Sequence, residues 1–263
     1  MREYQNKITF TRNSRGVYSI DPSLGCSSGV NATENGCYGD CYAFRSAKIY
    51  GYDFSKTVYR GFKNTSHLES IKNQISRIDM PFIRMGTMGD PSEDWGHTLD
   101  ICELLQHDRQ DDFFPMPKKE IVIITKHWNN LTLRQLLKLK TLNVCINTSV
   151  SAMDNKDILD NSMAQFERVK PFCRSILRVV TCDFNKQHPD GYALSVIQDE
   201  IINGRQYIDT VFRPSAKNDL VVNGVILVKK KRFIKGKQLV SKLNKKTYLG
   251  KCENCKEMCG VAM

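Results

Sequence analysis

Cysteine is the residue type in this chain best placed to do chemistry: there are ten in 263 residues. Six of them fall in two tight groups, Cys26, Cys37 and Cys41 near the start and Cys252, Cys255 and Cys259 at the end. The first group lies in the glycine-rich run Leu24-Gly-Cys-Ser-Ser-Gly-Val-Asn-Ala-Thr-Glu-Asn-Gly-Cys-Tyr-Gly-Asp-Cys-Tyr-Ala43. Glycines let a backbone bend around a soft metal centre that thiolates can ligate. A structural zinc site closes with four ligands, whereas three thiolates leave a position open. That favours a catalytic iron–sulfur cluster, or a zinc completed by a distant ligand such as Cys259 or a histidine. The second group, Cys252-x2-Cys255-x3-Cys259, can chelate an auxiliary iron–sulfur cluster or zinc and so anchor a tail that would otherwise fray. Cys102, Cys145, Cys173 and Cys182 stand singly inside apolar patterns and read as small buried hydrophobes.

The elements that would position these groups follow from periodicity. Residues 67–78 carry Leu68, Ile71, Ile75 and Ile78 on one helical face, and 81–87 follow as a short apolar strand. Helices are then expected over 42–50, 99–106, 131–140, 157–169 and 193–202. Strands are expected over 17–20, 120–125, 143–150, 175–181 and 207–212. Strict alternation with short connections predicts parallel strands joined by right-handed crossovers. About six such units are too few for a closed eight-unit barrel. The expected class is therefore α/β, a partial (βα) barrel or an open doubly wound sheet, with functional loops after the strands. The run Leu220 to Val228, with Asn223-Gly224 between β-rich segments, predicts a hairpin. It divides the chain into a βα unit over 1–219 and a basic hairpin and cysteine knuckle over 220–263.

Charge marks the same division. The net charge is +11, yet residues 225–251 alone hold ten Lys and Arg and no acidic residue, leaving 29 positive against 28 negative residues elsewhere. Such a run suits a polyanion, nucleic acid or a nucleotide-bearing substrate, through steering and counterion release; its plainer role is a solvated face. Hydrophobic residues make up 41% of the chain, enough for a packed core and too many for a disordered one. No apolar run approaches a membrane span, and the first residues lack an apolar leader core. The expectation is a soluble cytoplasmic protein with no membrane partner.

The Cys-x10-Cys-x3-Cys-Tyr-Ala loop inside a βα series resembles the phage and bacterial radical S-adenosylmethionine-like iron–sulfur proteins, in particular the phage gene product 88 family. Further landmarks follow in order across residues 17–260: Met85-Gly-Thr-Met-Gly-Asp90, Ile124-Thr-Lys-His-Trp128, Leu142-Asn-Val144 to Ser149-Val150, and the terminal cysteines. The chain departs from the usual Cys-x3-Cys-x2-Cys loop, because Phe44 stands where the third close cysteine would be and Cys26 lies upstream. The resemblance implies a [4Fe-4S] cluster on Cys26, Cys37 and Cys41, S-adenosylmethionine on the open iron, an external electron donor, and a bacterial host cytoplasm if the protein is phage-encoded. It also aligns Gly86, Thr87, Gly89, Asp90 and Lys126 with segments that would contact the cofactor.

Strand parity adds candidates of its own. Cys145, Asn147, Ser149 and Ser151 share one side of their strand, so Asn147 and Ser149 face a polar lumen where a ribose hydroxyl would bind, or else bond neighbouring backbone. Gly86 to Gly89 can offer backbone groups to the methionine amino end, with Asp90 as its anion; a plain turn is the alternative. Arg178, alone in an apolar strand, needs a carboxylate from a cofactor, Asp183 or Glu93. The leading expectation is a radical S-adenosylmethionine-like enzyme of unspecified substrate. Its competitor is a non-catalytic, zinc-stabilised nucleic-acid-binding protein.

Overall fold

Residues 6–13, 16–28, 41–107, 118–150, 154, 156–179, 210–212, 226–228, 238–241, 247–248, 259 and 261 are described by the structure, a computed structural model. In chain order the elements are β1 (Asn6–Lys7), β2 (Phe10–Arg12), β3 (Tyr18–Ile20), β4 (Ser23–Leu24), α1 (Tyr42–Ile49), β5 (Val58–Gly61), α2 (Thr65–Ser76) and β6 (Phe82–Met85). A 3-10 turn (Pro91–Asp94), α3 (Trp95–Gln106), β7 (Glu120–Thr125), α4 (Leu133–Leu139), β8 (Val144–Val150), α5 (Lys156–Val169) and β9 (Arg174–Val179) follow. β10 (Thr210–Phe212), β11 (Ile226–Val228), β12 (Gln238–Ser241) and β13 (Thr247–Tyr248) complete the described set.

Local chemistry sets the helix starts. Asn64 caps α2 by accepting the His67 N–H at 2.8 Å, and Asp94 caps α3 by accepting that of His97 at 2.9 Å. Thr132 and Gln135 form a reciprocal capping box on α4.

The strands run β11-β12-β13-β10-β9-β8-β7-β6-β3-β2 in one mixed sheet, with β1-β5-β4 as a small second sheet. β3, β6, β7, β8, β9, β10 and β13 pair in parallel, while β2, β12 and β11 pair antiparallel at the two ends. The expected run of six parallel strands, β3 to β10, is thus present. Among the described residues no pairing joins β2 to β11, and the observed architecture is an α/β mixed sheet. The Asn223-Gly224 turn and the helix expected over 193–202 lie outside the described residues; β11 pairs with β12. The lysine-rich run is thereby tied to the main sheet through β13 and β10.

Every residue of β7 and β8 is buried, as strands covered on both faces require. One face, with Ile20, Ile83, Met85, Ile121, Ile123, Val144 and Ile146, packs against Leu68, Ile71 and Ile75 of α2, Leu99 and Ile101 of α3, and Leu136 and Leu139 of α4. Each such side chain contributes roughly 1.5–3 kcal/mol when fully buried. The other face carries Val17, Phe82, Val122, Ile124, Cys145 and Ile176, and Cys259 from the end of the chain packs on it. That second face and the loops at its carboxyl edge form the site.

Candidate functional site

The first loop and the loop after β6 are fastened together. Gly25 and Gly89 form a parallel bridge, and the Gly25 N–H donates to the Met88 carbonyl at 2.9 Å. Each of the two positions excludes a side chain, for a different reason. A Cβ on Gly89 would stand 2.7 Å from the Gly25 carbonyl oxygen, and one on Gly25, whose φ is +83°, 2.2 Å from that of Lys56. Cys26 follows directly, with its N–H donating to the Phe54 carbonyl at 2.9 Å. It is buried with Ala43, Ala47 and Phe54, against which Cys41, Phe44, Tyr52 and Met88 pack. Cys26 and Cys41 therefore share one cluster with a residue of the Gly86–Asp90 segment. Cys41 occupies the N-cap position of α1. Cys37, the third residue of the expected set, lies outside the described residues.

Asp90, expected to supply an anion to a cofactor, has both carboxylate oxygens engaged. Oδ1 accepts from the Ser92 N–H at 3.0 Å and the Thr125 hydroxyl at 2.6 Å, and Oδ2 from the N–H groups of Lys126 at 2.8 Å and His127 at 2.9 Å. It is a latch between the loops after β6 and β7. Ser92 Oγ donates to the His127 carbonyl at 2.5 Å, and the Asn129 amide to the Ser92 carbonyl at 2.9 Å, which doubles the fastening.

Asp21, which sequence reasoning passed over, and Glu93, which it offered only as a partner for Arg178, complete the framework. Asp21, after β3, accepts the N–H groups of Gly86 at 3.1 Å and Thr87 at 2.7 Å, holding the start of the glycine segment. Burial raises its carboxyl above the ordinary value, against the pull of those N–H groups and of Arg60 and Arg84. Glu93 reaches back to the cysteine loop. It accepts from the Ser27 hydroxyl at 2.5 Å, the Ser28 N–H at 2.8 Å and the Thr57 hydroxyl at 3.5 Å, and the Cys26 Sγ stands 3.9 Å from its Oε1. Partial burial opposes its charge, but the hydrogen bonds from Ser27 and Ser28 outweigh that and hold its carboxyl below the usual range. Nearby, burial pushes His127 toward its neutral form against the attraction of Asp90.

Lys126 is buried and ion-paired through Nζ with Asp154, whose side chain is wholly covered. A cavity of about 190 Å³ joins this region to the first loop and is lined by Ser28, Lys126, His127, Asn129, Asn161 and Ser162 among others. That volume takes a small polar group and is below the size that encloses a drug-sized ligand.

The parity expected of β8 is observed: Val144 and Ile146 face the helices, Cys145 the opposite side. Asn147 lies on that side too, fully buried, and its amide donates to the Cys259 carbonyl at 2.9 Å, so it seats the end of the chain. Ser149 is buried one step further along, in register with Arg178 of β9, which is half-buried. Asp183 lies outside the described residues.

Cys259 has a φ of +58° and is buried beside Val17, Phe82, Val122 and Cys145. Cys252 and Cys255 are outside the described residues. Of the single cysteines, Cys102 and Cys145 are fully buried, with burial pushing the Cys102 thiol up to about 12; Cys182 is outside the described residues.

Among the described residues no three His, Cys, Asp or Glu side chains converge as a metal site, and no helix is long and apolar enough to cross a membrane. The soft donors Cys26 and Cys41 gathered in one cluster have the chemistry to ligate iron or zinc. No family model matches the chain, and neither the curated proteins nor the solved structures contain a significant match.

Proposed function

We propose that the chain is a radical S-adenosylmethionine-like iron–sulfur protein, a partial (βα) barrel in which Cys26, Cys37 and Cys41 hold a [4Fe-4S] cluster with one iron open to S-adenosylmethionine. The observation that carries this reading is the meeting of Cys26, Cys41 and Met88 in one cluster, fastened by the Gly25–Gly89 bridge. Two segments that the resemblance gives to cluster and cofactor thus lie side by side after neighbouring parallel strands. Once bound and reduced by an external donor, such a cluster would supply the single electron that splits the sulfonium into methionine and a 5′-deoxyadenosyl radical.

The chain's own residues supply binding and order. Cys26 and Cys41 offer thiolates, and Gly86 and Gly89 let their segment pack directly on the backbone of Ile124 and Gly25, which holds it beside the cysteines. Asp90 and Asp21 spend their charge on N–H groups of the surrounding loops and so fix them before any ligand arrives. Lys126 is oriented by its ion pair with Asp154, and Thr87, Ser149 and Arg178 supply polar groups on the same edge. Cys252, Cys255 and Cys259 would hold a second cluster or zinc against the face opposite the helices, since Cys259 is docked there. The lysine-rich run, joined to the sheet beyond β10, would meet a nucleic acid or nucleotide-bearing substrate.

Anaerobic purification followed by iron, sulfide and zinc analysis tests the reading. The expected result is a brown protein with about four irons at the first site, lost in Cys26→Ala and Cys41→Ala. Zinc near stoichiometry without iron would overturn it and select the zinc-stabilised nucleic-acid-binding alternative.

A further inference from the structure

Arg84 occupies the middle of β6 on the face turned away from the helices. In register it lies beside Ser19 of β3 and Val122 of β7, with Cys145 of β8 next in the row. It is 7% exposed, and its Nε is buried without a hydrogen-bond partner among the described residues. The acidic groups around it are shared with other partners. Asp21 feels the charge of Arg84 but also that of Arg60, and its Oδ1 takes the Gly86 and Thr87 N–H groups. Glu120, which shares the face two residues before Val122, pairs with Arg174 at 3.5 Å.

A guanidinium carries five donors in a fixed fork, and burying such a group with donors unmet costs free energy that a fold keeps only where something meets them. We propose that Arg84 receives an oxyanion borne by the substrate, a carboxylate or phosphoryl group. The guanidinium binds two oxygens, and the Ser19 hydroxyl, which lies 3.3 Å from that of Thr11, adds a third contact. Arg84 lies within β6, two residues before Gly86, which follows the strand, so this receptor lies further from the carboxyl edge than the segment given to the cofactor. Naming the anion as the substrate's rests on the proposed function; oxyanion binding itself does not.

The test follows thermal unfolding of the full chain at constant ionic strength with inorganic phosphate, with malonate and, separately, with S-adenosylhomocysteine as a cofactor surrogate. Phosphate or malonate should raise the midpoint saturably, with apparent affinity at least ~10-fold weaker in Arg84→Gln and several-fold weaker in Arg84→Lys, where a point charge replaces the fork. Binding to the lysine-rich run is common to all three proteins and cancels. Equal affinity in the wild type and Arg84→Gln, or no effect of either anion on the wild type, overturns the assignment. If Arg84→Gln does not fold, unchanged affinity in Arg84→Lys does so. Competition between S-adenosylhomocysteine and the anion overturns the substrate assignment. Iron content reads out the cluster proposal separately: Cys26→Ala should lose iron and keep anion affinity, and Arg84→Gln the reverse.

Discussion

The Asp90 latch gives the strongest single perturbation. Asp90 is 6% exposed and accepts four hydrogen bonds, from Ser92, Thr125, Lys126 and His127, at 2.6 to 3.0 Å. Asn has the same shape but one acceptor oxygen. With the amide nitrogen toward Lys126 and His127, two N–H groups face another donor; with it toward Ser92 and Thr125, the Thr125 hydroxyl can turn to accept and only the Ser92 N–H does. Hydrogen bonds to a charged group contribute about 1.5–3 kcal/mol each, and loss of one or two with the donors left buried should cost on the order of 2–5 kcal/mol. Thr125→Val removes one of the four and should cost about 1–2 kcal/mol. Equilibrium urea unfolding reads both through the two tryptophans, which sit on the tied loops: Trp95 Nε1 donates to the Asn129 carbonyl at 2.8 Å and Trp128 Nε1 to the Thr148 hydroxyl at 3.1 Å. An Asp90→Asn protein within about 0.5 kcal/mol of wild type would refute the reasoning, because buried donors cannot lose a charged acceptor at so small a cost.

Asp21 should show itself in the pH dependence. Burial raises its folded carboxyl above 3.8, so its contribution to stability is fully present below that unfolded value and is lost as pH rises through the folded one. Asp21→Asn keeps an acceptor for Gly86 and Thr87 without the charge, and should gain in stability relative to wild type as pH rises above about 4; a pH-independent difference counts against this. Gly89→Ala forces a methyl to within 2.7 Å of the Gly25 carbonyl oxygen and should destabilise by about 2 kcal/mol while opening Cys26 to a thiol reagent, and an unchanged labelling rate would show that the bridge does not guard the cysteine.

The βα core was legible wherever period and length agreed. Ile121 to Ile124 is a continuous apolar run bounded by Glu120 and Thr125, and Glu120–Thr125 is a strand; the helical face of Leu68, Ile71 and Ile75 is buried as spaced. β1 and β4 were not legible, because Asn6–Lys7 and Ser23–Leu24 are two residues each and show no period. Their pairing is decided by β5, far along the chain. At the site, the glycine segment and Cys26 could be found by type and spacing. Glu93 was named only as a partner for Arg178, and its link to the cysteine loop could not be read, since Ser27 and Ser28 lie 66 and 65 residues upstream and in Pro-Ser-Glu-Asp it reads as a helix start. Asp90 was found, but its role was not, because an acidic residue after a strand looks the same in sequence whether it faces a ligand or backbone N–H groups. Arg84 stands in a four-residue strand too short to show which face it takes.

The seat of Cys259 on Asn147 imposes an order of assembly. That hydrogen bond spans 112 positions in sequence, while β6, β7 and β8 pair in succession and the helices between them cover one side from nearby in the chain. Closing so long a loop is entropically costly and comes after local contacts have formed. The helix-covered side can therefore be complete while Val17, Phe82 and Val122 still await Cys259. In a cell that interval sets when the apolar half of the sheet is open to wrong partners, and a chaperone would act within it.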